Sequence, residues 1–469
     1  MRKMILMIGL VFMGLPLYSQ KSKTKPGATI NEIRIPLTVS HWESPAKSVD
    51  FVVYKGASAM KILSGEDKII LKDFKFSNGT IEYDVEPQGE GFAGLYFRMA
   101  DAKETEYLYL RTARAGNRMA MDAVQYAAFS KGVNLWDLLG HYQGPANIKK
   151  DVWNHIKLVI SGMQMIVYVN ELEQTTLEIP RLEGDTQSGS IAFDGKCTIS
   201  NLVIRPDAVE GLSAREGFDP THHDPRYIRA WQVSEAWSLP KGKELYEGEF
   251  PKPETKWESV SAERRGLINL TRLYGVSERR FVWLRVKLTS VKEQKRKIAL
   301  GFSDEVWVYL NRQPVFVDKN IYTSPGMRKM PNGRISIENA EFEVSLGAGE
   351  NELLVGVAND FYGWGIISRL DNMEGIETSV LFPPPPVQPE DLSPYQGSYT
   401  SEDKSKKIFF TTEENKLMAQ APGQQAIALE YFEKDRFRFT QFGVVIEFYT
   451  SEKKMVLKQG SEVITFLRE

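Results

Sequence analysis

Along most of this chain apolar and polar residues alternate in short runs, and Gly, Asn, Asp and Pro punctuate them. In GTIEYDVEP, Ile81, Tyr83 and Val85 fall on one side and Glu82, Asp84 and Glu86 on the other, because successive strand side chains point to opposite faces. The same period of two fits GLYFRM, YLYLR, HIKLVISG, MIVYVN, SGSIAF and NLVIRP. Apolar spacing at the helical period of 3.6 residues is scarce, so the pattern predicts an all-β protein of strands joined by tight turns, as a sandwich or barrel.

The alternation breaks twice. Residues 209–227, VEGLSAREGFDPTHHDPRY, lack it and contain two prolines, which predicts a linker. A second strand set follows, with FVWLRVKL, KIALGFS, EVWVYLN, PVFVD, AEFEVSL and NELLVGVAN. Pro383 to Pro386 then enforce an extended spacer over 383–390, since proline fixes φ and removes a backbone donor. Beyond it KIFFTT, KLMAQ, AIALEY, RFRFTQ, GVVIEFYT, KMVLKQ and VITFL are short strands of a small barrel or curled sheet. The expected organisation is a first antiparallel β-sandwich over 28–208, a second over 228–382 and a small β-barrel-like domain over 391–469.

The N-terminus changes the compartment. Arg2 and Lys3 precede an apolar run from Met4 to Leu17, the layout of a signal peptide over 1–19 with cleavage between Ser19 and Gln20. The run is shorter than the roughly 20 residues that span a bilayer. The expectation is therefore an exported, periplasmic or extracellular protein with no integral membrane segment after cleavage. One cysteine, Cys197, leaves no disulfide framework. A net charge of -2, from 59 basic and 61 acidic residues, gives no global field to attract polyanions, so nucleic acid is not an expected partner. Aromatic content of 11% with nine tryptophans suits both large β cores and sugar-stacking surfaces.

Residues of about 30–205 resemble the concanavalin A-like lectin/glucanase superfamily, in the laminin-G-like branch that includes the 3-keto-disaccharide hydrolase domain. FSNGTIEYDVEP, GFAGLYFRMAD, YLYLR, VWNHIKLVISGMQMIVYVN and SGSIAFDGKCTISNLVI carry the resemblance. It implies a two-sheet jelly roll whose concave face receives saccharide. GFSDEVWVYLNRQPVF and LGAGENELLVGVANDFYGWGI resemble a galactose-binding-like jelly roll, and the region opening YQGSYT resembles the small β domain behind β-lactamase-type serine hydrolases. No such hydrolase module lies upstream, so nothing catalytic carries over from the last resemblance.

Candidate chemistry falls in two sets. Glu82, Asp84 and Glu86 place three carboxyls on one strand face, and a retaining glycosidase needs two carboxyls about 5–5.5 Å apart. The flanking Trp and Gly pattern of laminarinase-type strands is absent, which favours a solvated polar face. Tyr107, Tyr109 and Arg111 share the opposite type of face, aromatic and cationic, with Arg98, Gln125, Trp136 and Tyr142 nearby in sequence and Trp364 in the second module. Aromatic rings stack on sugars while guanidinium and amide groups fix hydroxyls, so this set predicts saccharide contact; cross-strand packing is the competing account. His222, His223 and Asp224 fall short of a convergent ligand set, and no metal or other cofactor is expected. Asp304 and Glu305 with Phe361 and Tyr362 fit a calcium-supported sugar site or a plain polar turn. No Gly-x-Ser-x-Gly elbow, His-Glu-x-x-His or phosphate loop is present. The expected partner is carbohydrate. A non-catalytic glycan-binding protein, a glycoside hydrolase or lyase acting through the first sandwich, and a scaffold all remain open.

Overall fold

The computed structural model describes residues 31–469 apart from 241, 246–249, 253–254, 277, 381–391, 414–415, 434, 440–443 and 460–461. The expected signal sequence, 1–19, and the spacer, 383–390, lie outside the described residues. Two compact units make up the chain, one ending at Ser379 and the other beginning at Val380. Strands dominate both, as the alternation predicts. Among the described residues no helix is long and apolar enough to cross a membrane.

The first unit contains two sandwiches. In one sheet of the first, the strands Leu177–Ile179, Gln164–Val169, Asn154–Ser161, Gly79–Pro87, Cys197–Pro206, Ala57–Ile62 and Val49–Tyr54 lie side by side in that order. In the facing sheet the order is Val133–Asn134, Val124–Ser130, Thr105–Arg111, Phe92–Met99, Ser190–Asp194, Ile69–Leu71 and Trp42–Glu43. Ile81, Tyr83 and Val85 from one sheet meet Leu95, Phe97, Leu108, Leu110 and Phe193 from the other in a single core. Each such side chain contributes about 1.5–3 kcal/mol by leaving water. A one-residue slip would turn the whole set outward, so burial fixes the register.

The second sandwich packs an eight-stranded sheet, centred on Arg280–Ser290 and Gly349–Ala358, on a four-stranded sheet containing Gly365–Leu370 and Gln294–Ser303. Trp231, Leu284, Phe302, Val308, Val355 and Trp364 fill its core. The two sandwiches share apolar contacts: Leu267 and Ile335 of the second are buried in the first core, and Ile367 packs against it. The connecting segment 209–227 is packed as well, with Met163 N donating to Ala214 O, Gly217 N to Pro180 O, and Arg264 Nη1 to Gly217 O.

The second unit, taken by itself, is a nine-stranded antiparallel sheet in which Gly397–Ser401 pairs with both Lys407–Glu413 and Glu462–Arg468. That pairing brings the start of the unit beside its end and curls the sheet into a near-closed barrel. Tyr395, Tyr399, Phe410, Phe437, Phe448 and Phe466 fill the interior.

Candidate functional site

The outer face of the Thr105–Arg111 sheet is built from three strands in register. Tyr96 lies opposite Tyr107, and Tyr109 has Gly94 on one side and Gln125 on the other. The rings of Tyr96 and Tyr107 stack with centroids 4.2 Å apart, and those of Tyr107 and Tyr109 at 5.0 Å. Gly94 makes this possible: a Cβ there would lie 2.3 Å from both the Tyr107 ring and Asp194 Oδ1. The Asp194 carboxylate accepts from the hydroxyls of Tyr96 at 2.7 Å and Tyr107 at 3.0 Å, and burial raises its pKa. At the other end Gln125 Oε1 accepts from Tyr109 at 2.8 Å and Arg111 Nη2 at 2.6 Å, while Gln125 Nε2 donates to Trp136 O at 2.7 Å. Tyr107, Tyr109 and Gln125 are 5%, 4% and 0% exposed. They form a floor whose polar groups are already engaged.

Accessible aromatics rise around that floor, and most come from the second sandwich. Tyr362 is 42% exposed, and its left-handed backbone, φ 60°, sits in the loop that follows Gly349–Ala358. Two buried aspartates pin this loop, one from each sandwich. Asp304 Oδ2 accepts from Asp360 N at 2.5 Å and Phe361 N at 2.8 Å, and Asp137 Oδ1 accepts from Gly363 N at 3.3 Å. Half-buried Trp136 meets Tyr322 and Tyr362 edge-on, with centroids 4.9 and 5.9 Å away. Tyr322 in turn stacks on Phe361 at 5.6 Å. Phe92, 51% exposed, stands edge-on to Tyr109 at 5.3 Å.

Three cations border the same face. Lys68 Nζ lies 4.5 Å above the Tyr96 ring and 5.0 Å above Phe129. Arg111 Nη1 donates to the carbonyl of Asp122 at 2.6 Å. Arg334, from the loop before Ala340–Leu346, stacks over Trp136 at 5.0 Å. Burial and the neighbouring Arg111 both lower the Arg334 pKa. Arg334 is the residue sequence reasoning missed, together with Tyr322. Each is far from the tyrosine strand in the chain and carries no local pattern.

The remaining predicted residues lie elsewhere. Glu82 and Asp84 face out from the opposite sheet, where Arg205 Nη1 meets Glu82 at 2.8 Å and His155 Nδ1 meets Asp84 at 2.8 Å. Asn201 also donates to Asp84. Glu86 accepts from Lys55 at 2.6 Å and Tyr54 at 2.9 Å. Arg98 turns to the far end, donating to Ser77 O and Asn78 Oδ1. Tyr142 is a core residue whose hydroxyl donates to Glu183 at 3.0 Å. Trp364, expected to meet ligand, is fully buried and donates its indole N–H to Gly275 O. The loop turns its neighbour Tyr362 outward instead. The expected calcium option also changes: the Asp304 carboxylate is used by backbone N–H groups, and Glu305 pairs with Arg279 and Lys319.

Between the sandwiches a cavity of about 180 Å³ is lined in part by His141, Glu183, Tyr227, Glu263, Arg264 and Arg265. Burial pushes Glu183 up to about 7. Glu263 is held by Arg272 Nε at 2.7 Å.

Comparison with protein-family models and with curated proteins finds no match. Among solved structures, the carbohydrate-binding module CBM66 from Bacillus subtilis matches 35% of this chain and 95% of its own, with 16% identity and a TM-score of 0.27. A Bacillus licheniformis beta-glucanase matches 38% of this chain and 100% of its own, with 10% identity and a TM-score of 0.27. The galectin LEC-6 of Caenorhabditis elegans matches 34% and 97%, with 12% identity and a TM-score of 0.23. Likenesses at this level assign no function to the chain.

Proposed function

We propose that this is an exported carbohydrate-binding protein that holds a saccharide against the aromatic face shared by its two sandwiches. One observation carries the reading: solvent-reached Phe92 lies against the guanidinium of Arg111, and solvent-reached Tyr362 meets half-buried Trp136, whose ring carries the guanidinium of Arg334, so aromatic and cationic groups border one face. A sugar ring offers an apolar C–H face to aromatics and hydroxyls to fixed polar groups, and this border supplies both. The tyrosine strand keeps its place in the account in a changed role. Tyr107 and Tyr109 set the shape and rigidity of the floor, while ligand stacking falls to the rim. Export rests on the basic and apolar N-terminal sequence.

A glycan array on the full chain, followed by titration of its strongest hit, tests the reading. Binding that weakens in Tyr362→Ala with an unchanged melting temperature is the expected result. No binding to any array component, or equal binding by that variant, contradicts it.

The cavity supports a second reading, a glycoside hydrolase with Glu183 as general acid. A carboxyl raised to about 7 by burial against the pull of Arg181, with Glu263 lining the same cavity, is a combination such chemistry uses. Reducing-sugar release that falls by orders of magnitude in Glu183→Gln would establish it, and an absence of turnover on the saccharides bound would remove it.

A further inference from the structure

Arg334 is 3% exposed, yet its guanidinium donates no hydrogen bond and joins no ion pair among the described residues. Its Nε is fully enclosed without an acceptor. An enclosed cation ordinarily has a carboxylate partner, because leaving water without one costs several kcal/mol. The surroundings nonetheless hold it in place. Asn320 and Asn339 donate to its carbonyl, Ile335 N donates to Asp137 O, and the Trp136 ring lies beneath it. Gly140 leaves it room, since a Cβ there would sit 2.4 Å from Arg334 Cδ.

The neighbouring cation, Arg111, is hydrogen-bonded but has no carboxylate bonded to it, Asp122 acting on it only through space. Arg111 donates to a backbone carbonyl, to Gln125 and to Tyr109, and to no carboxylate. Asp122, the nearest acid in sequence, is taken by Arg114 through two contacts of 2.9 and 3.0 Å. Asp137 is buried beside the pinned loop and spends Oδ1 on backbone N–H groups. Two guanidiniums therefore border the aromatic face with no carboxylate bonded to either, and that of Arg334 has no acceptor at all among the described residues. A guanidinium fork matches a carboxylate or sulfate through paired N–H donors.

Resting on the carbohydrate reading above, we infer that the ligand is an acidic saccharide, whose oxyanion sits between Arg334 and Arg111 while its ring packs on the Trp136 and Tyr362 rim. The oxyanion is a uronate carboxylate or a sulfate ester on the sugar.

The full chain is titrated with oligosaccharides of galacturonate, mannuronate and glucuronoxylan, with sulfated carrageenan oligosaccharides, and with two neutral probes. These are galacto-oligosaccharides and fully methyl-esterified galacturonate. An acidic probe should bind at least about tenfold more tightly than its neutral counterpart. Preference for the uronates or for the carrageenan fragments identifies the oxyanion, and either supports the inference. Arg334→Met should abolish the preference and leave the free protein at least as stable, because it removes an unpaired enclosed charge. Arg334→Lys, which keeps the charge without the fork, should retain part of it and covers the case in which the Met variant does not fold. Equal binding of acidic and neutral probes overturns the inference and leaves the carbohydrate reading standing; binding of none overturns both. A preference unchanged in both Arg334 variants also overturns it.

Discussion

The first sandwich has two outward faces, and they use charge differently. On the Gly79–Pro87 sheet the prominent carboxylates have partners: Glu82 pairs with Arg205 and Glu86 with Lys55, while Asp84 is bonded to His155 and accepts from the Asn201 amide. On the tyrosine sheet the carboxylate of Asp194 is consumed by two phenols, and Arg111 and Arg334 have no carboxylate of their own. A face whose charges are paired is complete as it stands. A face with enclosed, unmatched donors beside exposed aromatics is incomplete, and that difference is why the proposed ligand is placed on the tyrosine face. Identical residue types along a strand cannot reveal it, because pairing is set by neighbours distant in sequence.

The largest expected effect sharpens the distinction within the tyrosine face. Tyr109→Ala removes a buried ring that stacks on Tyr107 and meets Phe92, so the first unit should lose about 3–5 kcal/mol of stability. Denaturant unfolding followed by tryptophan fluorescence measures this directly. All nine tryptophans precede residue 380, so the signal reports the first unit alone. A loss below about 1 kcal/mol would make Tyr109 a surface residue and return it to the ligand.

A pH series comes next. Burial pushes Glu106 and Asp304 up to about 7, as it does Glu183. Each binds its proton more tightly folded than unfolded, so its stabilising contribution is complete below about pH 4 and disappears as pH rises through about 7. The His155 pKa is also raised, chiefly by its hydrogen bond to Asp84, and works in the same direction. His141, held down to about 3 by burial, opposes this trend below about pH 6.5. The fluorescence-detected melting temperature should therefore fall from about pH 6.5 to pH 8, the stability changing by up to about 1.4 kcal/mol per pH unit for each proton. A rise over that interval would show that these carboxyls are ionised in the fold.

Smaller effects divide the faces. Tyr362→Ala should weaken saccharide binding by about 0.5–1.5 kcal/mol, up to roughly tenfold, with little change in stability. On the opposite sheet a double-mutant cycle between His155 and Asp84 should give a coupling of about 0.2–1 kcal/mol, because the pair is partly exposed. A coupling well above that range would mark the pair as a site in its own right.

Much of this architecture was legible in the chain. Ile81, Tyr83 and Val85 alternate with Glu82, Asp84 and Glu86, and that alone places the first three in the core and the others on the opposite face, where Glu82 and Asp84 are part-exposed and Glu86 is covered by Lys55 and Tyr54. The row Tyr107, Tyr109 and Arg111 was equally readable as one face. Its burial was not, since the rim that encloses it comes from Tyr322, Arg334 and the 359–364 loop, more than about 200 residues downstream, where no periodicity links the two. Within FYGWG, strand alternation stops at the loop, so nothing in the sequence distinguishes outward Tyr362 from core Trp364. Arg98 failed for a related reason: its φ of 51° falls in a register shift of the Phe92–Met99 strand, where the alternation of side chains breaks. Glycines offered the usable signal. Gly94 and Gly140 each sit where a Cβ would strike a residue of this face.

The most direct test is a titration of the full chain with its strongest array saccharide, carried out in parallel on wild type, Tyr362→Ala and Asp84→Asn. Binding should weaken for Tyr362→Ala and keep wild-type affinity for Asp84→Asn. Loss of binding in Asp84→Asn with Tyr362→Ala unaffected would place the ligand on the opposite sheet and contradict its assignment to the tyrosine face.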